Sequence, residues 1–168
     1  GFLVPGDTPG ISRSPEAHKM GIKGSSTREI FFQDVKIPVE NLLGEIGKGH
    51  KIAFNILNIG RIKLAAAAIG GGKKAIDVAV KYANDRQQFG VAISTFGAIQ
   101  YKLAEMAIRM WVMESAVYRA SFDIQNKEHE LQAAGASYAD ALLGGAEEYA
   151  IECALLKVLG SEVVDYIV

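Results

Sequence analysis

The sequence predicts a mainly α protein: three long helices of an incomplete four-helix, antiparallel up-down bundle, preceded by a remnant of a β-domain. Three observations carry this. All four prolines lie within residues 1–44, and helical periodicity replaces turn-rich sequence near residue 45. Ile99, Leu103, Met106, Met110, Met113 and Val117 recur at spacings of 4, 3, 4, 3 and 4, the period of antiparallel bundle packing. Ile52, Ile56, Ile59, Ile69 and Ile76 fall at helical spacings on either side of Ala65–Ala68, and alanine is the best helix former.

In chain order, Phe2-Leu3-Val4 is a short strand candidate. Asp7-Thr8-Pro9-Gly10 reads as a turn, because proline presets φ and glycine accepts a positive one. The β-branched and aromatic residues of Thr27–Phe32 and Val35–Ile37 predict strand, which Pro38 ends. So little β structure does not fold alone, so residues 1–44 are expected to be the tail of a larger sheet domain and 45–168 a helical bundle. The first helix is expected over 47–84. A polar connection follows over 85–93, with Ser94 or Thr95 standing where a cap for the second helix belongs. A third helix is expected from about Leu131 to the end, with an interruption at Gly144-Gly145. Its last part, 151–168, is apolar on more than one face, which predicts burial between neighbours. The abrupt ends, Gly1-Phe2-Leu3 and Tyr166-Ile167-Val168, read as cuts in a longer protein, leaving apolar surface at both cut faces that favours association.

Composition narrows the function classes. The chain is 49% apolar with a formal net charge of -1, ordinary for a globular protein and without the positive excess that nucleic acid or an anionic membrane surface attracts. No unbroken apolar run reaches the ~18 residues of a membrane span. The single cysteine, Cys153, excludes an intrachain disulfide and suits a reducing setting. His18, His50 and His129 lack ligand spacing, so no metal site is expected.

Gly70-Gly71-Gly72-Lys73-Lys74 invites comparison with a phosphate loop. That motif needs glycine at position 67 and Ser or Thr at 74, where Ala67 and Lys74 stand. Close approach of a neighbouring helix is the plainer reason for glycines inside a helix. Glu147-Glu148, Asp34 and Glu40 sit in polar stretches and read as surface charge. Arg86 ends a long helix just before Phe89-Gly90. A guanidinium grips phosphate in a bidentate fork and Phe89 offers a flat face to a purine, although Arg and Phe near a helix end are common. Arg61 lies in the otherwise apolar Asn58-Ile59-Gly60-Arg61 and wants an anionic partner, either a ligand or a buried ion pair, while Gly60 lets a ligand or another backbone lie close.

Taken in order, these blocks resemble the acyl-CoA dehydrogenase family over essentially the whole chain. They begin with Asp7–Ile11, Met20–Arg28 and Val35–Gly44. They continue with Ile56–Arg61, Arg86–Gly90 and Phe96–Gln100. Asn58–Arg61 and Phe96-Gly97 are most like the very-long-chain branch. The resemblance implies an internal fragment of a three-part fold: the end of the middle β-domain (1–44) and most of a truncated C-terminal helical bundle (45–168). It implies FAD-dependent α,β-desaturation of a fatty acyl-CoA, in which a glutamate removes the α-proton, flavin N5 accepts the β-hydride and an electron-transferring flavoprotein takes the electrons. A homodimer or homotetramer is implied. The compartment is cytoplasmic if the source is bacterial and mitochondrial if eukaryotic.

By position, Arg86 matches the arginine that reaches the FAD pyrophosphate of a neighbouring subunit, with Gln87 and Gln88 as companions and Phe89 near the adenine. Phe96 matches a flavin-contacting position. Gly97 stands where many members carry glutamine, which puts one flavin hydrogen bond in doubt. Asn58, Ile59, Gly60 and Arg61 match the segment that contacts the acyl-CoA. No catalytic residue is expected in the chain. Most members place the base glutamate on a segment beyond Val168, and Gly60 occupies the position a minority use. The glycine-rich segment completing the flavin site is likewise expected after Val168, so the isolated chain is expected to bind FAD weakly or not at all. A non-catalytic assembly protein of the same fold and an acyl-CoA oxidase are the alternative readings.

Overall fold

The computed structural model describes all 168 residues and divides into two compact units, Gly1–Ile52 and Ala53–Val168. In the first unit, β1 (Ile11–Arg13) pairs antiparallel with β2 (Ile30–Phe32), Ile11 facing Phe32 and Arg13 facing Ile30. Gly10, at φ +93, accepts from the Gln33 amide, and a Cβ there would overlap the Gln33 carbonyl oxygen, so only glycine fits. The Phe2–Val4 strand is reduced to a single bridge from Phe2 to Leu42. Strand stops at Phe32, because Asp34 turns the chain at φ +50 before Val35–Ile37 can pair. No residue before Asn58 is buried, and Phe31 and Phe32 are more than half exposed.

Glu16 ties the long β1–β2 connection together. Its carboxylate accepts from Ser26 Oγ (2.6 Å), Arg28 Nε (2.7 Å) and the Thr27 amide (3.1 Å). The Ser26 bond first, then Arg28 and the Thr27 amide, hold its pKa down at about 2, against an ordinary 4.5. A carboxyl lowered on folding stabilises the fold fully above its unfolded pKa and loses that contribution as pH falls through its folded value. The Thr27 amide is therefore expected to stay protected from exchange at pH 4 and to lose protection only as pH approaches 2. In Glu16→Gln, protection should be weak at both pH values; equal protection in the two proteins would show that the carboxylate does not hold the connection.

The second unit is a bundle built on three seams. α1 (Gly49–Asp85) spans 37 residues, close to the expected 47–84. Its core face runs through Ile62, Ala65, Ile69, Gly72, Ile76 and Ala79, whereas Ile56 is exposed. The seam passes through small residues, which an isoleucine pattern does not reveal. A Cβ on Gly72 would overlap Met110 Cε and touch Ile167, whereas Gly70 and Gly71 face open space. Close helix approach thus explains one glycine of the three. α1 also holds an 18-residue window of mean hydropathy 1.5 with at most two charged residues, so by length and composition it is long and apolar enough to cross a membrane. That corrects the expectation from unbroken runs: Asn55, Asn58, Arg61 and Lys63 interrupt residues 52–72 without lowering the mean enough.

α2 (Gly97–Ala133) buries Met106, Met110, Met113, Val117 and Ala120, the expected seam. Neither Ser94 nor Thr95 caps it. Both lie in a 3-10 turn, Ile93–Thr95, where the Thr95 hydroxyl donates to Ala92 O at 2.8 Å. α2 ends at Ala134, and Gly135 at φ +95 lets its own amide bond Gln132 O and the Ala136 amide bond Leu131 O, a Schellman closure. The third helix therefore starts not at Leu131 but at Tyr138, where Ser137 Oγ accepts from the Asp140 amide. The break expected at Gly144-Gly145 falls instead at Tyr149, which has φ -104 and ψ 30, between α3 (Tyr138–Glu148) and α4 (Ala150–Ile167). The two glycines stay helical and let α3 lie against Leu131, Ile124 and Glu128 of α2. α4 buries Cys153, Leu156, Gly160, Val163 and Ile167. Its second apolar face, Ile151, Leu155 and Val158, is exposed, so burial on two faces does not occur within this chain.

Candidate functional site

Between α1 and α2 the polar connection folds into a minimal hairpin. β3 (Gln87–Gln88) pairs with β4 (Val91–Ala92) around Phe89-Gly90. The Arg86 amide donates to Tyr82 O and its carbonyl accepts from the Ile93 amide, each at 2.9 Å, so the backbone carrying Arg86 is fixed at both ends. Its exposed side chain makes no hydrogen bond or ion pair. A two-residue turn that follows strand twist needs positive φ at both central residues, and both have it: +54 at Phe89 and +82 at Gly90. Glycine takes this at no cost, but a side chain there costs about 1–2 kcal/mol. Phe89 is also 92% exposed and has one aromatic neighbour, Phe96, with ring centroids 6.2 Å apart. A strained backbone that holds a large apolar ring in water has no purpose in the chain's own packing, and such strain gathers at ligand contacts. Gln87 and Gln88 are exposed on the same hairpin, and Phe96 is half-buried beside it. One small structure thus gathers all five residues expected to meet the cofactor.

The second group lies on α1. Asn58 is buried and its Oδ1 accepts from Arg61 Nη1 at 2.8 Å. Ile59, Gly60 and Arg61 are half-buried, and a Cβ on Gly60 would meet nothing within 4 Å. Arg61 has no carboxylate partner, so the buried ion pair is absent and the guanidinium retains donors for an anion. Gly60 and Asp85 are separated along α1 by about 38 Å at 1.5 Å per residue, so the two groups do not form one site within a chain. The carboxylates of Glu147, Glu148, Asp34 and Glu40 are all exposed, and no cluster of metal-ligating residues exists.

Two features of the fold carry no clear signal in the sequence. Cys153 is fully buried and feels Arg61. Burial pushes its thiol up, Glu152 adds to this, and Arg61 opposes it. Tyr166 holds Lys102 Nζ at 3.4 Å and Arg109 Cζ at 3.9 Å from its ring centre, pinning the end of α4 to α2 through cation–π attraction. Lys102 and Arg109, seven residues apart on one face of α2, were the only available signal for this.

Residues 47–168 match the acyl-CoA dehydrogenase C-terminal domain, and the chain belongs to that family. It is 49% identical over 167 residues to a probable acyl-CoA dehydrogenase of Bacillus subtilis (strain 168), covering 99% of this chain and 28% of that protein. It is 41% identical over 161 residues to the human mitochondrial very long-chain specific acyl-CoA dehydrogenase, covering 96% of this chain and 22% of that one. Among solved structures, an acyl-CoA dehydrogenase complexed with FAD from Bacillus anthracis superimposes with a TM-score of 0.91 at 50% identity, over 99% of this chain and 28% of that chain. The chain spans about a quarter of the length of these relatives.

Proposed function

We propose that this chain is part of an FAD-dependent acyl-CoA dehydrogenase that desaturates long-chain fatty acyl-CoA at the α,β bond. Residues 1–44 are the end of its middle β-domain and 45–168 its C-terminal helical bundle. The observation that carries the reading is the hairpin, where the Arg86 guanidinium has no hydrogen-bond or ion-pair partner and the Phe89 ring, beside Phe96 alone, stays 92% exposed. An unpaired guanidinium fork fits a pyrophosphate and an exposed ring fits an adenine. Arg86 binds the pyrophosphate, Gln87 and Gln88 assist it, Phe89 packs near the adenine and Phe96 lies against the flavin. Bound FAD supplies the acceptor for the substrate's β-hydride. Because the hairpin is about 38 Å along α1 from Asn58–Arg61, it serves the cofactor of a neighbouring subunit in a homodimer or homotetramer.

Asn58, Ile59, Gly60 and Arg61 line the acyl-CoA path, with Arg61 offering donors to an anionic or carbonyl group. Gly60 cannot accept a proton, so the α-proton is taken by a glutamate outside these residues. An electron-transferring flavoprotein is the electron acceptor. The relatives come from a bacterium and from mitochondria, which leaves cytoplasm or mitochondrion according to source.

The test is the visible spectrum of the native full-length protein under anaerobic conditions. The oxidised-flavin band is expected to bleach when a long-chain acyl-CoA is added. A band that persists, or no flavin, overturns the reading in favour of a non-catalytic assembly protein. Rapid hydrogen peroxide formation in air would make it an oxidase.

A further inference from the structure

The helix that follows the hairpin begins without a polar cap. Phe96 stands at the cap position of α2 and its side chain makes no capping bond. The next residue is Gly97, and a Cβ there would meet nothing within 4 Å. A glycine in a helix costs stability and leaves the backbone on its two sides loosely tied. Phe96 lies on one side of this soft point and the rest of the 37-residue helix on the other.

One side chain spans the soft point. Gln100 Nε2, in the first turn of α2, donates to Ser94 O at 3.1 Å. In a capping box, a glutamine in the first turn reaches back to the amide of the cap residue. Here it reaches past that residue to a carbonyl of the 3-10 turn Ile93–Thr95. On the hairpin side the same turn is tied three times. The Ile93 amide donates to Arg86 O at 2.9 Å, the Phe96 amide to Ile93 O at 3.1 Å, and Thr95 Oγ1 to Ala92 O at 2.8 Å. The Phe96 carbonyl starts the helix, accepting from the Ile99 and Gln100 amides at 3.0 Å each. The Gln100 side chain supplies the only hydrogen bond from α2 to the turn ahead of Phe96. The Phe96 ring in turn is the one aromatic neighbour of Phe89, their centroids 6.2 Å apart and their planes tilted by 59°.

We propose that Gln100 is a positioning residue for the cofactor. It bonds no part of the flavin. It holds the turn that carries Phe96, and so fixes the angle at which Phe96 meets the flavin and at which Phe96 supports the Phe89 ring against the adenine. The inference rests on the reading of Phe96 and Phe89 as cofactor contacts. Gln100 is itself exposed, so its bond adds little to the core and its effect falls on the orientation of the neighbouring ring.

A double-mutant cycle in the native full-length protein tests it, with FAD titrated into the apoprotein of the parent, Gln100→Met, Phe96→Ala and the double variant. Methionine keeps the length of the side chain but cannot donate. Gln100→Met is expected to bind FAD about 3- to 10-fold more weakly, the worth of one neutral hydrogen bond, with the thermal midpoint of the apoprotein unchanged. In the Phe96→Ala background the same substitution is expected to weaken binding no further, because the ring it positions is gone. Equal affinity of Gln100→Met and the parent overturns the inference. So do losses that multiply in the double variant, which would set Gln100 to work independently of Phe96. A parent apoprotein that takes up no FAD overturns the desaturase reading, and this inference with it. If Phe96→Ala does not fold, Phe96→Leu, which removes the ring and keeps an apolar side chain, takes its place in the cycle.

Discussion

Met113→Ala is expected to lower the unfolding free energy of this chain by about 2–5 kcal/mol, the range for truncating a buried methionine. Met113 is fully buried in the α2 seam, and its Cε lies 2.8 Å from where a Cβ on Gly160 would stand. Ala65 and Ala68 complete the same crossing. Those neighbours are already small, so none can move a side chain into the space. The cavity therefore remains, which puts the cost toward the upper end. Met113→Leu conserves volume and is expected to cost under about 1.5 kcal/mol. Urea denaturation of the two variants beside the parent reads both effects. A loss below 1 kcal/mol for the alanine variant would show that the α1–α4 crossing collapses around the gap.

Arg86→Ala is expected to do the opposite: leave this chain's thermal midpoint unchanged and strip the native full-length protein of its flavin. The side chain makes no bond within the chain, so folding has nothing to lose. Losing charged hydrogen bonds worth about 1.5–3 kcal/mol weakens binding about 10- to 100-fold. Arg86→Lys keeps the charge but not the fork and is expected to fall between. The flavin-to-protein ratio after gel filtration, with a titration of the apoprotein, measures both. A midpoint that falls while flavin content holds would make Arg86 a structural residue.

How far the sequence revealed all this differs from element to element. The α2 methionine seam was legible because large residues at strict 4-3 spacing have one reading. The α1 seam is legible only in part: Ile69 and Ile76 lie on it, but Ala65, Gly72 and Ala79, which share the contact, are too small to stand out. Residues 131–136 favour helix by composition, which predicts the start of α3 too early, and the signals against it, Gly135 and Ser137, are single residues whose force lies in backbone geometry and one capping bond. Gly144-Gly145 predicts a break because glycine costs helix stability; the compensation, a close fit against α2, exists only in three dimensions. The residues proposed as functional could be named from the chain. The positive φ at Phe89 could not, because β3 and β4 are two glutamines and two small apolar residues with no strand pattern. The partnerless state of Arg61 needed the fold for the same reason.

The length of α1 has a consequence at the level of heredity. If the two ends of one rigid helix serve different active sites, a subunit and its active site are not the same unit. An allele altered at Arg86 damages the site of the neighbour and leaves its own intact. An allele altered at Asn58 or Arg61 damages only the site that its own chain lines. Two such defective alleles in one cell would restore some complete sites in their mixed assemblies, and an Arg86 allele beside a normal one would spoil sites that its own sequence does not line.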